Sequence, residues 1–305
     1  MSNIAPHIVQ YQGSKRVLAP QILKYIPKDT QELVEPFAGM AAITIASSQR
    51  RLANHYVVND INKPLIDILE NAVTNPEELI ARYSLVWKQQ FEYGDDHVRH
   101  YYEVRDQFNY GDRSAENMLY LLARCVKGAV RYNKKNEFNQ SPDKRRHGTN
   151  PDTLTKNVRA ISYLLRERTT FCSSDYQEIL ESVGPKALVY MDPPYQGVTN
   201  SSDNRYCSGV PFEEFVKAVR ILDSKGIKYI ISYDGECGDK KYGKDLPNSL
   251  GCKKFLLNAG LSSQATLLGK KKITREALYV SEGLIERYKT EEPLIFEQMC
   301  LLEAV

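Results

Sequence analysis

Five consecutive apolar residues, Ala187-Leu188-Val189-Tyr190-Met191, stop at Asp192-Pro193-Pro194. A short run that is apolar on both faces and ends at two prolines reads as a strand buried between layers. It belongs to a longer alternation. Residues 31–35 (QELVE) are extended, PFAG breaks them, and MAAITIASSQRRL is helical. HYVVND is a second strand and NKPLIDILENAV a second helix. After residue 168 the order resumes: TTFC as strand, YQEILESV as helix, then ALVYM. FEEFVKAVRILDSKG follows as helix, with KYIISYD and REALYVSEGL as later strands. Strands alternating with helices dictate an α/β fold, a parallel-rich, Rossmann-like sheet with crossover helices.

Residues 76–167 break the alternation. PEELIARYSLVWKQQF, HVRHYYEVRDQF and SAENMLYLLARCV read as three helices, followed by the polar, basic RYNKKNEFNQSPDKRRHGTNP. The expected organisation is a domain of residues 1–75 and 168–305 with a helical domain, 76–167, inserted in it; 305 residues suffice for both. No apolar run is long enough to span a bilayer, and the first residues have no apolar signal core. These features predict a soluble, cytoplasmic chain. The six cysteines form no CxxC pair, and the five histidines are not spaced with them as metal ligands. Reduced thiols and no metal are expected.

Asp192-Pro193-Pro194-Tyr195 sits where open α/β sheets bind ligands, at the carboxyl end of a strand. The alternative is a proline-terminated turn with a capping Asp, but the tetrapeptide arises by chance only about once per thousand chains of this size. The residue types suit one task. The Asp carboxylate and the Pro193 carbonyl are acceptors that can hold both hydrogens of an exocyclic NH2 while the ring stacks on Tyr195. An aryl amine is a poor nucleophile because its lone pair is delocalised. Hydrogen bonds that favour a pyramidal nitrogen release that pair.

Four weaker signals accompany it. Glu35-Pro36-Phe37-Ala38-Gly39-Met40 ends the first strand, and Gly39 permits close backbone approach to a ligand. It is neither a dinucleotide fingerprint nor a P-loop. Asp60, in Asn59-Asp60-Ile61-Asn62, lies about 20 residues further on, a placement that suits a ribose hydroxyl pair; it equally serves as a helix cap. Tyr11-Gln12-Gly13-Ser14-Lys15 could hold a carboxylate, or be a surface turn. Asp175 and Tyr176 end another short strand and suit an adenine edge, although Asp175 also reads as a cap.

The net charge of +3 hides a concentration of cations. Between Arg124 and His147 stand eight Lys or Arg against Glu137 and Asp143. Lys127, Arg131, Lys134, Lys135, Lys144, Arg145 and Arg146 are interleaved with Tyr132, Asn133 and Asn139, which a merely solvating loop does not need. Arg131 could pair with a guanine edge while the lysines take phosphates, so these ten residues are the expected DNA contacts. A second cluster, Lys270-Lys271-Lys272 with Arg275, lies nearer the C-terminus.

In order and wording, YQGSK, EPFAGM, NDIN, DPPY and KKKITREALYVSE resemble the Dam-like (alpha-class) DNA adenine-N6 methyltransferases, and VKGAVRYNKKNEFNQSP is similar to that family's DNA-contacting hairpin. The resemblance implies S-adenosylmethionine as cofactor. Tyr11 and Lys15 would meet its amino-acid end, Phe37, Ala38 and Gly39 the backbone turn, Asp60 the ribose, and Asp175 with Tyr176 the adenine. Gly13, Glu35 and Asp192 complete the expected cofactor set. Asp192, Pro193, Pro194 and Tyr195 would be catalytic, acting on a flipped adenine of double-stranded DNA. The resemblance also implies a monomeric, nucleoid-associated enzyme, solitary or beside a restriction endonuclease reading the same site. Lys127 and Ala129 stand where the family often has Asn and a bulky apolar residue. Cytosine-N4 or RNA adenine methylation, and a non-catalytic DNA-binding module, are the alternatives.

Overall fold

A computed structural model describes residues 4–194, 210–237, 240–241, 243–261 and 273–291. Along the chain these form α1 (Ala19–Ile22), β1 (Thr30–Glu35), α2 (Ala42–Gln49), β2 (Ala53–Asn59), α3 (Lys63–Thr74) and α4 (Pro76–Gln89). Then follow α5 (His97–Tyr110), α6 (Ala115–Arg124), α7 (Pro151–Leu165), β3 (Thr169–Cys172), α8 (Tyr176–Ser182) and β4 (Ala187–Met191). The remainder is α9 (Phe212–Ser224), β5 (Lys228–Cys237), β6 (Lys240–Lys241), β7 (Cys252–Leu261), β8 (Ile273–Ser281) and α10 (Glu282–Glu291).

The sheet order is β3-β2-β1-β4-β5-β8-β7, with β6 beside β5. The pairs among β3, β2, β1, β4 and β5 are parallel, and β8 runs antiparallel to β5 and β7. The order reverses between β1 and β4, so a crevice opens where their carboxyl ends diverge. Every residue of β4 is buried, as its unbroken apolar run requires. Alternate side chains serve opposite faces. Leu33, Leu188, Tyr190 and Ile230 enter one core, and Val34, Val189, Met191 and Ile231 the other. Helices α8 and α9 cover the second face.

The helical segment joins the first core. Tyr83, Tyr101, Phe108, Met118 and Leu122 belong to the same apolar cluster as Leu65, Ile68 and Leu69 of α3. Helix α7 packs on α2, α3 and α4. Its start is legible only locally: Asn150 accepts a bond from the Asp152 N–H and Pro151 occupies the first turn. Neither α7, although Leu154, Val158, Ile161 and Leu165 recur at helical spacing, nor β7 is among the elements expected from the sequence. The late strand ends at Ser281, and Glu282–Leu284 open α10 instead of extending it.

Candidate active site

Four parallel strands finish on one side of the sheet at Glu35, Asn59, Cys172 and Met191, so the segments after them converge. The buried amide of Asn59 ties three of these segments together. It donates to the Pro36 and Ser174 carbonyls and accepts from the Ser174 N–H, at 2.9–3.0 Å. Asp60 ties another pair, taking the Gly39 N–H on Oδ2 at 2.8 Å and the Asn62 N–H on Oδ1 at 2.9 Å. Gly39 has φ +53°, and a Cβ there would stand 2.8 Å from the Tyr11 ring. Only glycine lets the N-terminal loop lie so closely over the first strand's turn.

The convergence encloses a cavity of about 470 Å³. Tyr11, Gly13, Lys15, Glu35, Phe37, Ala38, Gly39, Asp60, Asp175, Tyr176 and Asp192 all line it, together with Pro193 and Pro194. Tyr195 lies outside the described residues. Asp175 also caps α8, accepting the Gln177 N–H at 2.8 Å, so one residue both caps the helix and lines the cavity. Phe37 and Tyr176 pack on each other with ring centroids 4.9 Å apart and give the cavity an aromatic wall.

Among the described residues the lining carries five acidic side chains (Glu35, Asp60, Asp175, Asp192, Glu214) and one cation, Lys15. Lys15 is buried; its Nζ is 2.8 Å from Asp192 Oδ2 and 3.7 Å from Glu276 Oε2, and it donates to the Gly13 carbonyl at 3.2 Å. The N-terminal loop is thus pinned to the DPP turn by a charge-assisted hydrogen bond. Burial pushes Glu35 from an ordinary 4.5 up to about 7, opposed by a hydrogen bond from the Thr44 N–H and reinforced by nearby Asp192. Burial also raises Asp60.

Beyond the cavity, residues 125–142 form an antiparallel ribbon, bridged at Cys125–Pro142 and Tyr132–Phe138. Asn133 builds its tip: its side chain accepts from the Lys135 and Glu137 N–H groups and donates to the Glu137 carboxylate. Its amide is therefore engaged in the turn. Lys127, Arg131, Lys134, Lys135, Asn139, Lys144, Arg145 and Arg146 are exposed. Tyr132 is different, half-buried and lining the cavity. Arg124, counted with the basic run in sequence, is fully buried beneath it and donates to the Asp143 carbonyl at 2.9 Å. Lys127 holds φ +62°, a conformation Asn tolerates far better than Lys, which gives a physical reason for the family's preference there. The Lys270–Lys272 cluster falls outside the described residues.

The D12 class of N6 adenine-specific DNA methyltransferases matches residues 11–260, from the Tyr11 loop past the cavity and the ribbon. The chain belongs to this class. Among relatives of this D12-class methyltransferase is the type II methyltransferase M.MjaIII of Methanocaldococcus jannaschii, 27% identical over 73% of this chain and 82% of the relative. The retron Ec67 DNA adenine methylase of Escherichia coli is 31% identical over 62% of this chain, and the match spans 64% of that enzyme. The DNA N-6-adenine-methyltransferase of Escherichia phage P1 is 29% identical over 75% of this chain but 30% of its own. Site-specific methylation of adenine in DNA is thus this chain's activity. Some residues of the D12 cavity carry no sequence signal of their own. Ile61, Val130, Val210 and Glu214 reach it only through the tertiary fold. Asn59 could have been found, since a buried amide at a strand end must bond to neighbouring loops.

Proposed function

We propose that the cavity holds S-adenosylmethionine and that the ribbon, within a target-recognition segment spanning residues 76–167, holds double-stranded DNA. The lining supports this cofactor: among the described residues its acids outnumber its one lysine even with Glu35 protonated, which favours a ligand carrying sulfonium and ammonium charges and disfavours phosphates. The volume suits a nucleoside-sized ligand. Phe37 and Tyr176, already packed on each other, would form one wall against the adenine, with Asp60 at the ribose and Tyr11, Gly13 and Lys15 at the amino-acid end. S-adenosylmethionine, when bound, supplies an electrophilic methyl group.

The observation that carries the reading is the DPP turn opening into this cavity at the end of β4. The target adenine must leave the duplex stack for its N6 to reach that turn. Lys15 fixes the Asp192 carboxylate, which is assigned to one N6 hydrogen, and the Pro193 carbonyl is assigned to the other. Tyr195 is assigned to stack on the base. With both hydrogens held, the nitrogen lone pair points into the cavity, and orientation supplies much of the acceleration. Sequencing of methylated adenines in DNA from cells making the chain tests this directly. Uniform absence of N6-methyladenine would overturn it. A monomeric enzyme, solitary or beside a restriction endonuclease of the same specificity, completes the reading; the type II name of M.MjaIII supports the paired arrangement.

The ribbon carries its own prediction. Arg131→Ala should cost about 1–3 kcal/mol at the methylated site and relax preference at one base pair. Replacing Lys134 and Lys135 should weaken methylated-site and scrambled duplexes alike and flatten the salt dependence by about one unit of slope per lost contact. Binding curves on both duplexes at several salt concentrations check this. Equal loss on both duplexes for Arg131→Ala would make it another phosphate contact.

A further inference from the structure

Two contacts join the basic ribbon to the cavity wall. The Tyr132 hydroxyl donates to Asn62 Oδ1 at 3.1 Å, and Asn62 follows Asp60 and Ile61 along the cavity's rim. On the other side the Gln12 N–H donates to the Gly128 carbonyl at 3.0 Å. Gly128 sits so tightly on the N-terminal loop that a Cβ would come within 2.0 Å of the Gln10 carbonyl oxygen. Two of the loops that wall the cavity are therefore bonded to the segment that carries the exposed cations.

The geometry of Tyr132 links the two more closely. Consecutive residues of an extended chain point to opposite sides. Tyr132 lines the cavity while its neighbour Arg131 is exposed. The register is held by the Asn139 N–H on the Arg131 carbonyl and by the Tyr132–Phe138 bridge. The Arg113 guanidinium lies over the Tyr132 ring and also donates to the Asn136 carbonyl at the ribbon tip. Asn109 clamps Phe138 by accepting its N–H at 2.7 Å and donating to its carbonyl at 2.9 Å. The ribbon is thus a stiff unit, and a change in how Tyr132 sits against the cavity wall changes where Arg131 points.

We infer that Tyr132 is a positioning residue shared by two sites: through its hydroxyl bond to Asn62 it makes filling of the cavity and engagement of DNA by the ribbon thermodynamically linked. A ligand packed against Asp60, Ile61 and Asn62 fixes the acceptor of the Tyr132 bond, which sets the ribbon in one register for Arg131. The linkage is reciprocal, so DNA must tighten the cavity's ligand by the same factor that the ligand tightens DNA.

This inference rests on the cavity being the cofactor site, and the test separates the two. S-adenosylhomocysteine, which cannot donate a methyl group, is the probe, with a duplex containing the site found by sequencing methylated adenines. Dissociation constants for the duplex with and without saturating probe are compared in the unaltered chain, in Tyr132→Phe, in Asn62→Ala and in the double variant. The unaltered chain is expected to bind the duplex at least about fivefold more tightly with the probe present. Each single substitution should reduce that ratio by half or more, and the double should reduce it no further. The ratio does not move for a residue that merely supports folding, because loss of folded chain lowers both measurements together. If Asn62→Ala fails to fold, Tyr132→Phe alone decides. A ratio of one in the unaltered chain, or an unchanged ratio in Tyr132→Phe, overturns the inference and leaves the cofactor reading standing. No calorimetric binding of S-adenosylhomocysteine to the unaltered chain overturns both.

Discussion

Asp192→Asn should fold, bind S-adenosylhomocysteine and lose about a hundred- to a thousandfold in single-turnover methyl transfer, the loss typical of one preorganised hydrogen-bonding partner. The substitution keeps the size of the side chain and one carbonyl oxygen. That oxygen will be drawn to the Lys15 ammonium, which now lies 2.8 Å from Asp192 Oδ2. The NH2 group is then turned toward the substrate amine, so a donor faces a donor where an acceptor is needed. Asp192→Ala removes the acceptor altogether. It also strips a buried ammonium of its nearest carboxylate, so cofactor affinity and stability should fall as well. Turnover within a few-fold of the unaltered chain in Asp192→Asn would remove Asp192 from the chemistry.

Glu35→Gln is expected to change the pH dependence of stability more than any other single substitution at the site. Glu35 is buried, with its carboxyl raised from 4.5 to about 7, so between those values the folded chain holds a proton that the unfolded chain has released. Stability from this group therefore declines as pH rises from about 4.5 to about 7 and stays lost above, by about 3 kcal/mol. Glutamine has no proton to release, and its carbonyl can still accept the Thr44 N–H. Relative to the unaltered chain, Glu35→Gln should gain about 2–3 kcal/mol between pH 5 and pH 8, since part of the loss has already occurred at pH 5. Urea unfolding at the two pH values measures this difference, and parallel profiles would show that Glu35 is ionised in both states.

The alternating part of the fold was legible because parallel strands buried on both faces must be continuous apolar runs, as in ALVYM, and because capping acids and prolines mark their ends. The cavity was legible for a related reason: a parallel sheet delivers every strand end to one side, so Glu35, Asp60, Asp175 and Asp192 had to meet. What escaped depended on distant partners. Helix α7 itself was legible, with Asn150 and Pro151 before Leu154, Val158, Ile161 and Leu165 at helical spacing; only its place, packed on α2 and α3, depends on distant residues. Strand β7 ends the described sheet and takes its place from pairing with β8. Arg124 looked like one more surface cation, and nothing local distinguishes a guanidinium that will be buried beneath its neighbours. The Lys15–Asp192 pair spans 177 positions, beyond any spacing argument.

The seat of Gly128 against the Gln10 carbonyl bears on how such a protein could be given a new target. The exposed side chains at Arg131, Lys134 and Lys135 could be exchanged for those of a relative, provided Tyr132 keeps its bond to Asn62. A larger graft that crosses residue 128 must bring its own glycine, because any side chain there would lever the N-terminal loop away from the cavity. Retargeting is thus cheap on the outer side of that joint and ruinous across it, and sequence diversity among enzymes of this kind should accumulate accordingly.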